Sequence, residues 1–221
     1  MIAELIDKQD TFEIVRDKIA EILVTESANQ VVLATNAGKQ NPEDWAFDVY
    51  VERSNAWERF IDDPENPTPI VHVWYETSTF DRSASDVVKN QKSDSSFNID
   101  VYGYGETRFD ANSQTPGDKE AILETQRVIK LIRNILMSAE YTYLGLRGTV
   151  WGRWPESIHM FQPEINDQVS QNISGGRIRF DVSFSETSPQ IPGVDLEYVS
   201  ACVERTEDGQ VVLTADYDYT A

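Results

Sequence analysis

The chain has 221 residues, of which 40% are hydrophobic and 10% aromatic, a composition typical of a folded protein and incompatible with disorder throughout. Its 38 acidic and 19 basic residues give a formal net charge of −19, which argues against a surface that grips nucleic-acid phosphates. The single cysteine, Cys202, excludes an intrachain disulfide and a cysteine-based zinc site.

The first half of the chain predicts one helix followed by short strands. Residues 4–26 repeat apolar side chains at helical spacing, with charged residues on the other face. The start of the chain is charged throughout and has no apolar segment of the kind found in a signal peptide, so we expect no leader. No run reaches 18 apolar residues, so we expect no membrane span. The elements expected next are strands at 30–35, 45–53, 70–78 and 97–107, a short helix at 55–61, and a polar loop or weak helix at 79–95.

The second half predicts a long helix and then four strands. Thr115 is the expected N-cap, Pro116 the first helical residue, and the apolar stripe runs to about Ala139. Just before it, Gly103 and Gly105 indicate a bulge or a close backbone approach. The strands expected afterwards are 146–154, 171–185, 194–206 and 210–218. This order predicts an α+β fold with a mostly antiparallel sheet and two main helices packed on one face.

Catalytic and metal-binding patterns are scarce. His72 and His159 each lie in a predicted strand, where structural roles are commoner than catalytic ones. The sequence contains no HExxH, Walker A or GxSxG motif, and its acidic pairs lie in predicted loops, where solvated carboxylates are usual. We therefore predict that the chain is not an enzyme, and that it has no catalytic residues, metal ligands or cofactor.

Basic and aromatic side chains are concentrated in one part of this acidic chain. Residues 116–180 hold eight basic and seven acidic residues, and "WGRWP" at 151–155 places two tryptophans close together. In the strand "RIRFDVSF" at 177–184, polar and apolar residues alternate, so one face is apolar and the other is polar and begins with two arginines. Tryptophan and arginine are enriched at protein interfaces, which indicates a charge-complementary contact with another copy, whereas a mixed solvated surface is the alternative.

Four stretches together resemble the tail terminator (tail completion, or neck) proteins of tailed bacteriophages. They are "FNIDVYGYGET", "TPGDKEAILETQRVIKLIRNILMSAEY", "TYLGLRGTVWGRW" and "RIRFDVSFSETSPQ", and they cover about residues 97–190. The resemblance implies a mixed sheet with helices on one side and a homohexameric ring. Such a ring caps the tail tube, stops its polymerisation and joins the tail to the head connector, and it catalyses no reaction.

The resemblance also implies the partners and the location. The expected partners are further copies of the chain, the tail tube protein, the head-closure or connector protein and the sheath protein. DNA would pass through the channel without specific binding, and the protein would be part of the virion neck, assembled in the host cytoplasm. The residues expected at the subunit interface are Arg127, Arg133, Arg147, Trp151, Arg153, Trp154, Arg177 and Arg179.

Compact members of that family are shorter than this chain. We therefore expect a single α+β domain over 1–221 with a β-rich insertion at 37–95, which would form an elaboration on one rim.

Two alternatives remain open at this point. One is another phage neck protein, such as a head-closure protein or head–tail adaptor. The other is an acidic-site hydrolase or a carbohydrate-binding module, which predicts a concave pocket with two convergent carboxylates and a perturbed pKa.

Overall fold

The structure is a computed structural model that describes residues 9–63, 65–81, 90–110, 113–163, 172–187, 198–204 and 211–218. The chain divides into two compact units. One spans Ile6–Thr187, and the other combines Met1–Leu5 with Ser188–Ala221.

The larger unit holds three α-helices and seven strands among its described residues. The helices are α1 (Thr11–Asn36), α2 (Arg59–Asp62) and α3 (Gly117–Leu136), and short 3-10 turns cover Pro42–Trp45 and Ala56–Glu58. The strands are β1 (Asp48–Val51), β2 (Ile70–Phe80), β3 (Asn90–Tyr104), β4 (Arg108–Asp110), β5 (Ser113–Thr115), β6 (Val150–Phe161) and β7 (Ile173–Thr187). In the smaller unit, β8 (Tyr198–Glu204) and β9 (Val211–Asp218) pair antiparallel.

Five strands form the main sheet, in the order β1-β2-β3-β7-β6. Only the β1–β2 pair is parallel, so the sheet is mixed but mostly antiparallel, and the predicted α+β class is confirmed. At its centre β3 and β7 pair without interruption over all 15 residues of each strand. The order leaves β1 and β6 at opposite edges, which matters for the site described below.

The core follows from the alternation of β3 and β7. Phe97, Ile99 and Val101 of β3 and Phe180 of β7 are almost fully buried. They share one hydrophobic cluster with residues from both long helices; the helical members are Val15, Ile19, Ala20, Ile22, Leu23, Val128, Ile129, Ile132, Ile135 and Leu136. Each large apolar side chain buried in this way contributes about 1.5–3 kcal/mol. The cluster therefore anchors the helices to the sheet.

A second, smaller cluster includes residues of the opposite parity on the same strands. Tyr102 follows Val101 on β3, and it packs with Ile70, Ile173 and Phe60 of α2. Because successive strand residues point to opposite faces, α2 covers the other side of the sheet from the core residues of β3.

Gly103 allows α3 to approach the sheet closely, as the sequence pattern predicted. A Cβ atom at Gly103 would lie 2.6 Å from Oγ1 of Thr125 on α3. At Gly105 a Cβ would meet the carbonyl oxygen of Gly117, in the first turn of the same helix. A side chain at either position would push α3 away from β3.

The predicted boundaries of the first helix were wrong at its C-terminal end. Residues 30–35, expected to be a strand, are helical, and α1 continues to Asn36 before Gly38 adopts a left-handed φ of 67°. A short apolar run such as "VVLAT" fits a strand or a helix equally well, and no glycine or proline interrupts it. The helix ends two residues before Gly38, the first glycine in this stretch, which readily adopts the left-handed conformation.

Further boundaries differ from the prediction, and the strand expected at 146–154 is β6, which spans Val150–Phe161. The loop expected at 79–95 contains the end of β2 and the start of β3, although residues 82–89 lie outside the described part of the chain. Ser93 and Ser95 are buried and hydrogen-bonded to each other at 3.0 Å, so this polar stretch can pair as a strand. Thr115 belongs to β5, and Pro116 is the N-cap of α3.

The range 37–95 contributes strands to the main sheet. It contains β1 and β2, and β2 pairs with β3 from Ile70↔Tyr102 to Phe80↔Ser93. These strands belong to the same sheet as the core, and the description of this range as an insertion stays a prediction.

Candidate functional site

The edge strand β6 exposes large apolar side chains. Trp151 is 43% exposed, Trp154 42%, Ile158 46% and Met160 43%. Its inner edge pairs with β7, and no described strand pairs with its outer edge. Exposed apolar residues on an unpaired edge are typical of a surface that binds another protein.

The shape of β6 favours contact through side chains over simple strand addition. The strand has irregular register at Val150/Gly152 and at Pro155/Ser157, and Pro155 cannot donate a backbone hydrogen bond. Bulges and proline are devices that prevent indiscriminate pairing of an edge strand. One tryptophan is held in place, because the Lys92 ammonium lies 4.1 Å from the ring centre of Trp151.

Arg177 of β7 is bound within its own sheet. Its Nε and Nη2 donate to the two carboxylate oxygens of Asp100 at 2.6 and 2.9 Å, and the indole N–H of Trp74 donates to Oδ2 at 3.0 Å. Asp100 is only 4% exposed at its side chain, whereas Arg177 is 37% exposed. The hydrogen bonds to Asp100 raise the pKa of Arg177, so this arginine neutralises a buried carboxylate.

Arg179, the second arginine on the polar face of β7, contacts residues of several strands. Its Nε lies 2.6 Å from a carboxylate oxygen of Glu156 on β6 and 3.5 Å from one of Glu76 on β2. Its Nη2 also donates to the hydroxyl of Ser96 on β3 at 3.0 Å. The polar face of β7 therefore links the four neighbouring strands β2, β3, β7 and β6 of one chain. Both arginines, Arg177 and Arg179, have intrachain partners.

Arg153 stabilises the turn that follows α3. Its guanidinium donates to the carbonyl oxygen of Ser138 at 2.6 Å and to that of Tyr141. Burial lowers the pKa of Arg153. The side chain was predicted to face a neighbouring subunit, and the structure places it against carbonyl groups of its own chain.

The remaining predicted interface arginines differ in their surroundings. Arg127 pairs with Glu124 on α3, and its guanidinium carbon lies 5.6 Å from the ring centre of Trp45. Arg133 in the last turn of α3 and Arg147 just before β6 are exposed, and neither forms a salt bridge with the described residues. Arg133 and Arg147 thus precede β6 in the chain as exposed basic side chains, and the guanidinium carbon of Arg147 lies 5.7 Å from the ring centre of Tyr143.

A groove at the opposite edge of the sheet was not anticipated. It has a volume of about 710 Å³ and lies between α1 and β1, with Val24, Ala28, Val31 and Phe47 among its lining residues. The groove includes the part of α1 that had been predicted as a strand. Residues 24, 28 and 31 follow helical spacing, so continuing the helix through "VVLAT" could have revealed it.

Charged side chains also line this groove. They are Glu43, Asp48 and Arg59, and Asp48 pairs with Arg59 of α2. Beyond it, Val32 and Leu33 are each 57% exposed on α1. The two edges of the sheet therefore both expose apolar side chains, and the segments that contain them differ in charge: 41–65 is acidic and 126–160 is basic.

His72 has a structural environment. Its Nε2 accepts a hydrogen bond from the backbone N–H of Arg53 at 3.0 Å, and burial lowers the pKa of the imidazole. His159 is exposed on β6. Within the described ranges, no group of three histidine, cysteine or acidic residues is arranged to hold a metal ion.

The described carboxyl group with a raised pKa is Glu186 on β7. Burial raises its pKa, and its Oε1 accepts hydrogen bonds from the N–H and hydroxyl of Thr11 at the start of α1. These contacts attach the helix to the sheet.

No protein-family model matches the chain, and a search of curated proteins finds no significant match. None of the described helices combines the length and apolar character needed to cross a membrane.

Proposed function

We propose that this chain is a structural subunit of the neck of a tailed bacteriophage, a tail terminator that forms a ring on the end of the tail tube. The observation that carries the proposal is the exposure of large apolar side chains along the edge strand β6. Trp151, Trp154, Ile158 and Met160 are each more than 40% exposed, and no described strand pairs with the outer edge of β6. Such a surface fits a protein that functions by binding other protein chains.

The position of the two edges also supports a ring. A cyclic ring of identical subunits needs two different surfaces on each subunit, because each contact is heterologous. The sheet order places β6 and β1 at opposite edges of the five-stranded sheet. One edge can therefore face the preceding subunit while the other faces the next.

The net charge supports the passage of DNA. A formal charge of −19 repels phosphate, so DNA would move through an acidic channel without adhering to its wall. In this role the partners are the tail tube protein below and the head-closure or connector protein above, with the sheath protein where the tail has one. The ring would stop tube polymerisation at the correct length and provide the docking surface for the head.

Cryo-electron microscopy of the particle, or of the protein mixed with purified tail tubes, tests the proposal. We expect a closed ring at the head-proximal end of the tube. Density elsewhere in the neck would favour a head-closure or adaptor role instead. A protein that neither binds tubes nor occurs in particles would contradict the proposal.

A further inference from the structure

We infer that the β6 edge of one copy seats in the groove between α1 and β1 of the next copy. The inference rests on the proposed ring and specifies the two surfaces that would close it. The inserted edge carries Trp151, Trp154, Ile158 and Met160, and the receiving groove is lined by Val24, Ala28, Val31, Phe47, Val49 and Tyr50.

The two surfaces are both apolar enough to gain from being covered. Val24 on the groove wall is 55% exposed, a fraction similar to those of the β6 side chains. Trp151 and Trp154 still expose 43% and 42% of their surface, so covering both contributes part of the roughly 800 Å² that each partner buries in a standard interface. The groove volume of about 710 Å³ provides room for large side chains.

The charges of the two surfaces are opposite. Residues 41–65, which include β1 and the charged lining residues of the groove, carry eight acidic and two basic side chains. Residues 126–160, which include the end of α3 and β6, carry five basic and two acidic side chains. Bringing these regions together places Arg133 and Arg147 near an acidic neighbour, which steers association and fixes its orientation.

The same charges disfavour the symmetric alternatives. A contact of β6 with β6 would bring two copies of the basic segment 126–160 together, and a contact of groove with groove would bring two copies of the acidic segment 41–65 together. Like charges that face each other across an interface are destabilising. The head-to-tail contact is therefore the one in which apolar surface and charge both match.

Complementary blocking variants test this inference. Trp154→Asp blocks the inserted edge, and Val24→Asp blocks the groove. Each change places a carboxylate in the proposed contact at an exposed position. We expect each variant alone to lose head-to-tail association by on the order of thirtyfold in Kd, since central tryptophan contacts are typically worth about 2 kcal/mol or more.

The informative sample is the equimolar mixture of the two variants. Each pair then retains one intact edge and one intact groove, so mass photometry or sedimentation should show a one-to-one dimer and no larger species. Leu123→Asp on α3, at a 56% exposed position that is neither on β6 nor among the groove-lining residues, is the matched control and should associate like the wild type. Circular dichroism checks that all three variants are folded.

Several outcomes would overturn the inference. They are wild-type assembly that persists in either blocked variant, a mixture that forms no dimer, and a wild-type protein that does not associate at high concentration or on tail tubes. A Val24→Cys/Met160→Cys variant in a Cys202→Ala background provides a second readout, because a short bifunctional maleimide should link adjacent copies.

The failure of this inference can be separated from that of the proposed function. A ring on the tube built through other surfaces would overturn the contact and leave the terminator function standing. A head-to-tail dimer in a protein that never binds tubes would support the contact and contradict the terminator function.

Discussion

The centre and the outer edge of the sheet use arginine and tryptophan in different ways. At the centre, Arg177 and Trp74 both bind the buried Asp100. At the edge, Trp154 on β6 is 42% exposed, and Arg147, which precedes β6 in the chain, forms no salt bridge with described residues. The difference teaches that residue type alone does not identify an interface, because the same side chains stabilise the fold where a neighbouring strand supplies their partners.

The largest expected effect is at the centre. Arg177→Ala should lower the free energy of unfolding by about 2–3 kcal/mol, because it leaves the Asp100 carboxylate buried without its partner. Chemical denaturation measures the effect. Arg133→Ala is the matched control, and a loss of similar size there would contradict the distinction between centre and edge.

Arg153 should contribute to the stability of the fold, as Arg177 does, although it lies on the edge strand β6. Arg153→Ala removes the hydrogen bonds to the carbonyl groups of Ser138 and Tyr141 and should cost about 1–2 kcal/mol in the free energy of unfolding. The same denaturation experiment applies, with Arg147→Ala as the control for charge. If Arg153→Ala left stability unchanged but weakened subunit association, Arg153 would belong to the interface instead.

His72 should make the central region sensitive to acid. Burial lowers its pKa in the folded state below the ordinary value of 6.5, so the unfolded state binds more protons in the window between the two values. Stability from this group is present above pH 6.5 and is lost as the pH falls through the folded-state pKa. Protonation also removes the acceptor of the bond from the Arg53 N–H.

Thermal unfolding at several pH values between about 7 and 5 measures this effect. The His72→Gln variant should lose less stability over this range than the wild type. A wild-type slope equal to that of the variant would show that other groups, such as the carboxylates, cause the whole acid response.

The smallest effect on stability is expected at the exposed arginines. The double variant Arg133→Glu/Arg147→Glu should change the free energy of unfolding by no more than about 0.5 kcal/mol, since both side chains are exposed. Its association should weaken and should depend less on salt than that of the wild type. Sedimentation at low and high ionic strength measures the association. Unchanged association would show that the charges of Arg133 and Arg147 do not contribute to the contact.

Local patterns were sufficient to predict much of this protein. The alternation of "RIRFDVSF" predicted the central strand and its buried face, and the apolar spacing after Pro116 predicted α3. Gly103 and Gly105 indicated the close approach that the helix makes. These features depend on periodicity and on the missing Cβ of glycine, both of which are properties of neighbouring residues.

Only the tertiary structure decided which side chains face solvent and which find partners. Arg177 pairs with a residue 77 positions away, and Arg153 with the turn after α3, because strand order and register bring these groups together. The groove beside β1 likewise depends on α1 continuing to Asn36 and packing near residues 43–50. Pairing between distant segments is set by the packing of the whole sheet, and no short stretch of the sequence contains that information.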